Sequence, residues 1–430
     1  MANHLSARLD LGALLAAVED APPVAAVDVL GERLASVLGA RELSFLIADF
    51  SGQALIRLGH ASGAAATREQ GRETGERVDL TGSPHGRALA TQTVERETSA
   101  EGTRLFAPVT NRGEAIGVLE LRLDEPPDEQ MVADVALAAH ALAYVVIANR
   151  RFTDLFEWGQ RTVPLSLAAE IQHRLLPAAY TCEAGQFTLA GWLEPAGDVG
   201  GDTFDFTMER DTLHLSMTDA MGHEVGAALL ATVLVGALRN ARRAGVGLNE
   251  QARLANAELV DNAAGGGFVT GQVARIDLQT GTAVIVNAGH PPPLRLRHGR
   301  VESVRLAADP PFGTMREHQY HVQPLPLEPG DRLVFFTDGV LERNATSVDI
   351  EAMVAAGAEM HPREAVQHLI QAILRATGGA LNDDATALCL DWHGGPMRQR
   401  TTDSGANLGR APGADTDATL PTTPPTQDKR

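Results

Sequence analysis

Apolar positions Val27, Leu30, Leu34, Val37 and Leu38 recur at the spacing of a helix with one buried face. The apolar run Leu43 to Ala48 then predicts a strand that ends in the turn Asp49-Phe50-Ser51-Gly52. Residues 60 to 76 have no period and predict a mobile loop, and a second helix is expected from Ser83 to Gln92. Arg104 to Leu123 reads as two apolar strands around Asn111-Arg112-Gly113-Glu114, a hairpin signal. From Asp128 to Trp158 the pattern is helical and apolar on several faces, with the pair Arg150-Arg151 near its end. Such a helix suits packing against a second copy of the chain as well as its own domain, which predicts a homodimer. A further helix, Leu165 to Leu176, would place Leu167, Ile171 and Leu175 on one face and stop at Pro177, as a connector would.

From Phe187 onward strands alternate with Gly-rich and Pro-rich turns: Phe187 to Leu193, Leu213 to Thr218, Gly271 to Leu278, Ala283 to Asn287 and Leu333 to Thr337. The stretch Gly226 to Arg243 is too long for a strand and predicts a buried helix. Helices and antiparallel strands in separate runs indicate an α+β layered domain. After Trp392 the composition collapses into Thr, Pro, Gly, Ala and Asp, which predicts a disordered tail over 394–430. The chain therefore divides into an N-terminal segment (1–23), a first domain (24–150), a helical connector (151–180), a second domain (181–393) and the tail.

Composition narrows the chemistry. In 430 residues, 36 basic against 55 acidic side chains leave a net charge of -19, and no basic patch offsets it. That field disfavours nucleic acid and anionic lipid. Every basic residue but Lys429 is Arg, which excludes a P-loop lysine, a kinase lysine and a Schiff base. The two cysteines, Cys182 and Cys389, cannot build a multi-cysteine zinc site and point to a reducing compartment. The first residues lack a secretory pattern, and the apolar stretch Val132 to Ala148 carries Asp134 and His140 and is short for a bilayer span, so a cytoplasmic protein with no membrane contact is expected.

Four short acidic motifs stand at strand ends or glycine turns: Gly200-Gly201-Asp202, Thr218-Asp219-Ala220-Met221-Gly222-His223, Thr337-Asp338-Gly339 and Asp383-Asp384-Ala385-Thr386. Each alone is an ordinary turn. If the strands carrying them are neighbours, the carboxylates converge on one rim and repel unless cations neutralise them. Oxygen ligands without cysteine or a paired histidine motif select Mg²⁺ or Mn²⁺ over zinc. His223-Glu224 opens like a zinc-protease helix, but Ala227 stands where the second histidine must be.

In order, EPAGDVGGDTFDF, LSMTDAMGHEVGAALLA, VNAGHPPPL, LEPGDRLVFFTDGVLE and NDDATALCLDW resemble the PPM-type metal-dependent serine/threonine phosphatases, in their bacterial SpoIIE/RsbU-like branch. The resemblance spans roughly residues 165 to 393. It implies a β-sandwich flanked by helices and hydrolysis of phosphoserine or phosphothreonine on a protein. It also implies that two Mn²⁺ or Mg²⁺ ions are held, with Asp219 bridging them, the Ala220 carbonyl on the first, and Asp202, Asp338 and Asp383 on the second. Asp384 is the fallback for Asp383. The reaction implied is in-line attack by metal-activated water without a phosphoenzyme. The first domain, with APVTNRGEAIGVLEL as its most telling piece, resembles a GAF-type α/β sensor domain that senses a small molecule or partner, or serves dimer packing alone.

His223 and His290 are candidates to protonate the leaving serine oxygen, with a turn-fixing role favoured for His290; Asp205 either orients the metal shell or caps a turn, the second being favoured. Two departures from the family stand out: Glu224 occupies a position usually held by Gly, and Pro311-Phe312-Gly313-Thr314 replaces a Leu-Gly-Leu sequence. The expectation is a sensor-controlled phosphatase acting on a phosphorylated protein of the anti-sigma-factor antagonist type. The alternatives are a non-catalytic dimeric signalling module with a phosphatase-like partner-binding domain, and a small-molecule phosphoesterase.

Overall fold

The computed structural model describes residues 9–60, 68–69, 72–73, 75–162, 165–196, 200–263, 266–341, 348–379, 381–395 and 405–406. The N-terminal unit begins with helices α1 (Leu11–Asp20) and α2 (Ala26–Leu38). Its strands are β1 (Glu42–Ala48), β2 (Ala54–His60), the short pair β3 (Arg68–Glu69) and β4 (Arg72–Glu73), β5 (Arg77–Asp79), β6 (Glu95–Ser99), β7 (Gly102–Asn111) and β8 (Glu114–Leu123), with helix α3 (Pro84–Thr91) between β5 and β6. Six of these strands form one antiparallel sheet in the order β5-β2-β1-β8-β7-β6. Alternation along β1 sends Leu43, Phe45 and Ile47 toward α2 and the following helix α4 (Glu129–Asn149), while Leu46 faces α3 through Ala88 and Leu89. The region expected as a loop over 60–76 thus contains the β3/β4 pair, and its remaining residues 61–67, 70–71 and 74 lie outside the described residues.

The helix expected from Asp128 to Trp158 is two. α4 ends at Asn149, and α5 (Leu155–Gln160) restarts after Asp154. Asn149 Nδ2 turns back onto the Val145 carbonyl, competing with the helical ladder, and Arg150 caps the helix with its backbone N–H on the Val146 carbonyl while its side chain donates to the Ala178 carbonyl at 2.7 Å. By length and composition α4 and one later helix, Glu224–Arg243, could each cross a bilayer, contrary to the expectation that no stretch is long enough; both pack apolar residues into protein cores.

Helix α6 (Leu167–Leu175) leads into the second domain. Its buried residues are Ala168, Ala169 and Gln172, and of the expected leucine face Leu175 packs half-buried against the core while Leu167 is exposed, so that face packs only at its C-terminal end. The reason is close approach: Gly200 lies so near Ala168 that a Cβ there would stand 3.0 Å away, and only small residues fit that contact.

Two antiparallel sheets then stack. One contains β9 (Thr181–Glu183) and β10 (Phe187–Glu194); the other contains β11 (Asp202–Met208), β12 (Thr212–Ala220), β13 (Val269–Asp277), β14 (Ala283–Ala288) and, further along, β17 (Gln323–Pro324). The first sheet is completed by β15 (Leu294–Arg297), β16 (Arg300–Ser303), β18 (Asp331–Phe336) and β19 (Ala385–Trp392), in the order β16-β15-β18-β19-β10-β9. Period-two alternation assigns each strand two jobs. Phe187, Leu189, Leu333, Phe335, Leu388 and Leu390 fill the space between the sheets with Leu213, Leu215 and Ile276. On the outer face of the first sheet, Val334 and Cys389 meet α9 (Ile350–Ala356) and α10 (Pro362–Ala376). On the outer face of the second, Val273 and Val286 meet α7 (Glu224–Arg243) and α8 (Leu248–Asn262). The result is the expected β-sandwich flanked by helices. Of the stretch read as a tail, Gly405 and Ala406 are buried: the Gly405 carbonyl accepts from Gly113 N at 3.1 Å, a contact that composition does not predict. The rest of 396–430 lies outside the described residues.

Candidate metal centre

Strands β11 and β12 bring the first two acids together. Their register sets Asp202 directly opposite Asp219. Gly201 has to be a glycine there, since a Cβ would fall 2.7 Å from the Ala220 carbonyl oxygen. Asp202 is fully buried, and its Oδ2 accepts from Thr337 Oγ1 and Thr386 Oγ1, both at 2.6 Å. Those threonines stand at the end of β18 and the start of β19, so one carboxylate ties the two sheets together.

The second pair of acids is joined by another glycine. A Cβ on Gly339 would lie 2.0 Å from the Asp384 carbonyl oxygen, so Thr337-Asp338-Gly339 and Asp383-Asp384 touch backbone to backbone. Asp338 is exposed and hydrogen-bonds Asp219. Asp383 is exposed too, its Oδ1 accepting from Asp384 N at 2.9 Å. Asp384 is buried and occupied: its carboxylate accepts from Gln172 Nε2 at 2.6 Å, Ala196 N at 2.9 Å and Gly201 N at 3.2 Å. This sorts the neighbours by availability: Asp383 presents its carboxylate at the rim, while Asp384 is a brace.

The electrostatics follow from crowding. Burial first, then the charges of Asp338, Asp383 and Asp384, push Asp219 up to about 7. Burial, Asp219 and Asp384 hold Asp202 well above the usual carboxylate range despite its two threonine donors. Among the described residues no three such side chains stand ready-spaced as a metal cage. Asp219 and Asp338 instead bond to each other, as carboxylates do when a shared proton replaces a cation. The donor set fits a hard divalent ion: four oxygen acids at one rim and the adjoining Ala220 carbonyl, with no sulfur.

The remaining candidates separate clearly. His223 is exposed in the turn after Asp219, its Nδ1 3.7 Å from Glu224 Oε1. His290 is buried; its ring Nδ1 pairs with Thr270 Oγ1 at 2.9 Å, its backbone N–H donates to Asn287 Oδ1, and burial pushes its ring down to about 4. Thr270 faces Asp219 across β12 and β13, so His290 supports the strand behind the acids as a neutral ring. Asp205 does not cap a turn. It accepts from Arg239 and Arg242 of α7, locking that helix onto β11. Glu224, the departure from glycine, has φ +62°, in the left-handed region that costs an L side chain roughly 1–2 kcal/mol. An anion at a helix N-terminus regains only about 0.3–1 kcal/mol when exposed.

Gln172 was not foreseen. Buried on α6, its Nε2 donates both to the Asp202 carbonyl and to Asp384 Oδ2, linking the connector to both halves of the centre. No local pattern marks it, because both partners lie far along the chain. The next residues, His173 and Arg174, face a cavity of about 720 Å³ at the junction of the two domains, which also borders Phe50, Arg87, Trp192 and Gln367.

The model of the family described as Stage II sporulation protein E (SpoIIE) matches residues 209–393. These residues form a SpoIIE-type phosphatase domain of the PPM (PP2C) class. The match begins after Asp202 and includes Asp219, Asp338 and Asp383. Among curated proteins, the phosphoserine phosphatase RsbU of Bacillus subtilis is 22% identical over 236 residues, covering 53% of this chain and 69% of RsbU. The phosphoserine phosphatase RsbP of the same organism is 22% identical over 187 residues, with 42% of this chain and 46% of RsbP covered. Of solved structures, the RsbU and RsbW domains of Rv1364c from Mycobacterium tuberculosis share 27% identity, covering 50% of this chain and 62% of that one, at a TM-score of 0.45. The chain thus spans under half of RsbP and less than two thirds of the solved relative. The expected SpoIIE/RsbU-like branch is the one found.

Proposed function

We infer that the SpoIIE-type domain hydrolyses phosphoserine or phosphothreonine on a regulatory protein of the anti-sigma-factor antagonist type. The observation that carries this reading is the convergence of Asp202, Asp219, Asp338 and Asp383 at one sandwich rim, where burial first and neighbouring carboxylates second push Asp202 and Asp219 above the usual carboxylate range. Two Mn²⁺ or Mg²⁺ ions held by those aspartates and the Ala220 carbonyl would lower the pKa of a water and offset phosphate charge. Asp219 is the bridging candidate because it interacts with Asp202, Asp338 and Asp383. Thr337 and Thr386 orient Asp202, and Asp384 and Gln172 hold the backbone that carries it. Exposed His223 is free to swing toward a leaving serine oxygen; buried His290 is not.

Control from the N-terminal unit, read as a GAF-like sensor in the cytoplasm, has a physical route. The β7–β8 turn docks on the phosphatase domain: Arg363 donates to the Gly113 and Leu89 carbonyls, and Thr181 N donates to Glu114 Oε2. Helix α6 lies between this junction and the acids, and Gln172 reaches them directly. Moving α6 would withdraw a brace from Asp384. The exposed Leu137 and Tyr144 on α4 support a homodimer through that helix.

The test is phosphate release from a phosphoserine protein with Mn²⁺, with EDTA, and by Asp219→Asn. Release in the first condition alone is expected. Equal release in all three would leave the non-catalytic partner-binding reading standing.

A further inference from the structure

Glu224 is the one residue near the acids whose conformation and chemistry both work against it. Its φ of +62° would suit glycine, and among the described residues its side chain, 70% exposed, approaches only the neighbouring His223 ring, at 3.7 Å. Gln92, strained in the same way, contrasts with it, because its buried side chain donates to the Leu89 carbonyl and accepts from Thr110. An outlier whose helix-end position regains less than its strain costs points to a use outside the molecule.

Position says what that use is. Glu224 follows Ala220 by four residues, so the two are at most about 14 Å apart. Two divalent cations would neutralise Asp202, Asp219, Asp338 and Asp383, which leaves Glu224 as a negative charge on the turn after Ala220 that repels an incoming phosphate dianion. That repulsion is removed if the substrate brings its own cation. Exposed Met221, in the same turn, adds an apolar shoulder suited to a polypeptide rather than a small ester.

We propose that Glu224 is a specificity residue that pairs with an arginine or lysine flanking the phosphorylated serine or threonine, so that basic-flanked phosphosites are preferred. This rests on the phosphatase reading above. The experiment uses the full chain with Mn²⁺ and two phosphoserine peptides that differ only in Arg or Ala beside the phosphoserine. An exposed pair predicts a kcat/KM preference of about two- to five-fold for the Arg peptide. Glu224→Asp should keep it, Glu224→Gln should bring the ratio near one, and Glu224→Lys should invert it. Equilibrium binding of the same peptides to Asp219→Asn, with and without Glu224→Gln, should show the same ordering by fluorescence anisotropy. Identical ratios in wild type, Glu224→Gln and Glu224→Lys would overturn the inference while leaving the phosphatase reading intact. Failure of the wild-type chain to hydrolyse either peptide would overturn both.

Discussion

Asp202 and Asp219 face each other across adjacent antiparallel strands, and the Asp219 carboxylate raises the pKa of Asp202 in a site already desolvated by burial. A fold tolerates such a pair only if something supplies positive charge or a proton. The metal-free protein has only the proton.

The first prediction follows from that. Asp219 has a folded pKa of about 7 against an ordinary 3.8, so the metal-free native state holds a proton that the unfolded chain releases. Stability from this group is present below the unfolded value and is lost as pH rises through about 7. Thermal melts in EDTA should therefore show Tm falling between pH 5 and pH 8, and Mn²⁺ should raise Tm more at the upper end. Asp219→Asn should flatten the EDTA profile; an unchanged slope would contradict the account.

Gln172 supplies the second. Replacing it by Leu removes a donor from buried Asp384 and should destabilise the domain by about 1–3 kcal/mol in urea melts. Because Asp202 loses a backbone brace as well, Mn²⁺ affinity should weaken in parallel. Loss of stability with unchanged metal affinity would confine Gln172 to packing.

For Glu224 the backbone makes a separate prediction. Glu224→Gly removes left-handed strain and should leave the protein as stable or up to about 1 kcal/mol more stable, despite the lost helix-end anion. Chemical denaturation decides this, and a marked loss of stability would show that the side chain has a structural role.

The junction between the domains yields the fourth. Arg363→Ala removes the side-chain donor from the Gly113 carbonyl and leaves the Leu89 carbonyl with Gln92 alone, and should loosen the docked turn by about 1–3 kcal/mol. Amide exchange at Arg112 to Glu114 should accelerate while the sandwich core stays protected. Uniform protection across both would show that the turn is held by other contacts.

Much of this was legible along the chain. The strand-end acids and the sandwich follow from apolar runs that stop at Asp, since alternation and turn chemistry are local. Asp205 was misread because its partners, Arg239 and Arg242, come from a helix later in the chain. Leu167 was misread because α6 packs by closeness, through alanines against Gly200, rather than by hydrophobic volume. The end of α4 at Asn149 is accompanied by the Asn149 side chain on the Val145 carbonyl and the Arg150 side chain on the Ala178 carbonyl, contacts with no periodic signature. Gln172, Thr337 and Thr386 share that property: ordinary residues made important by what folding sets against them.

The most direct measurement is anomalous diffraction at the manganese edge from crystals soaked in Mn²⁺. Two peaks bounded by Asp202, Asp219, Asp338 and Asp383 are predicted, both lost in Asp219→Asn crystals. Strong peaks elsewhere with none among these four carboxylates would contradict the assignment.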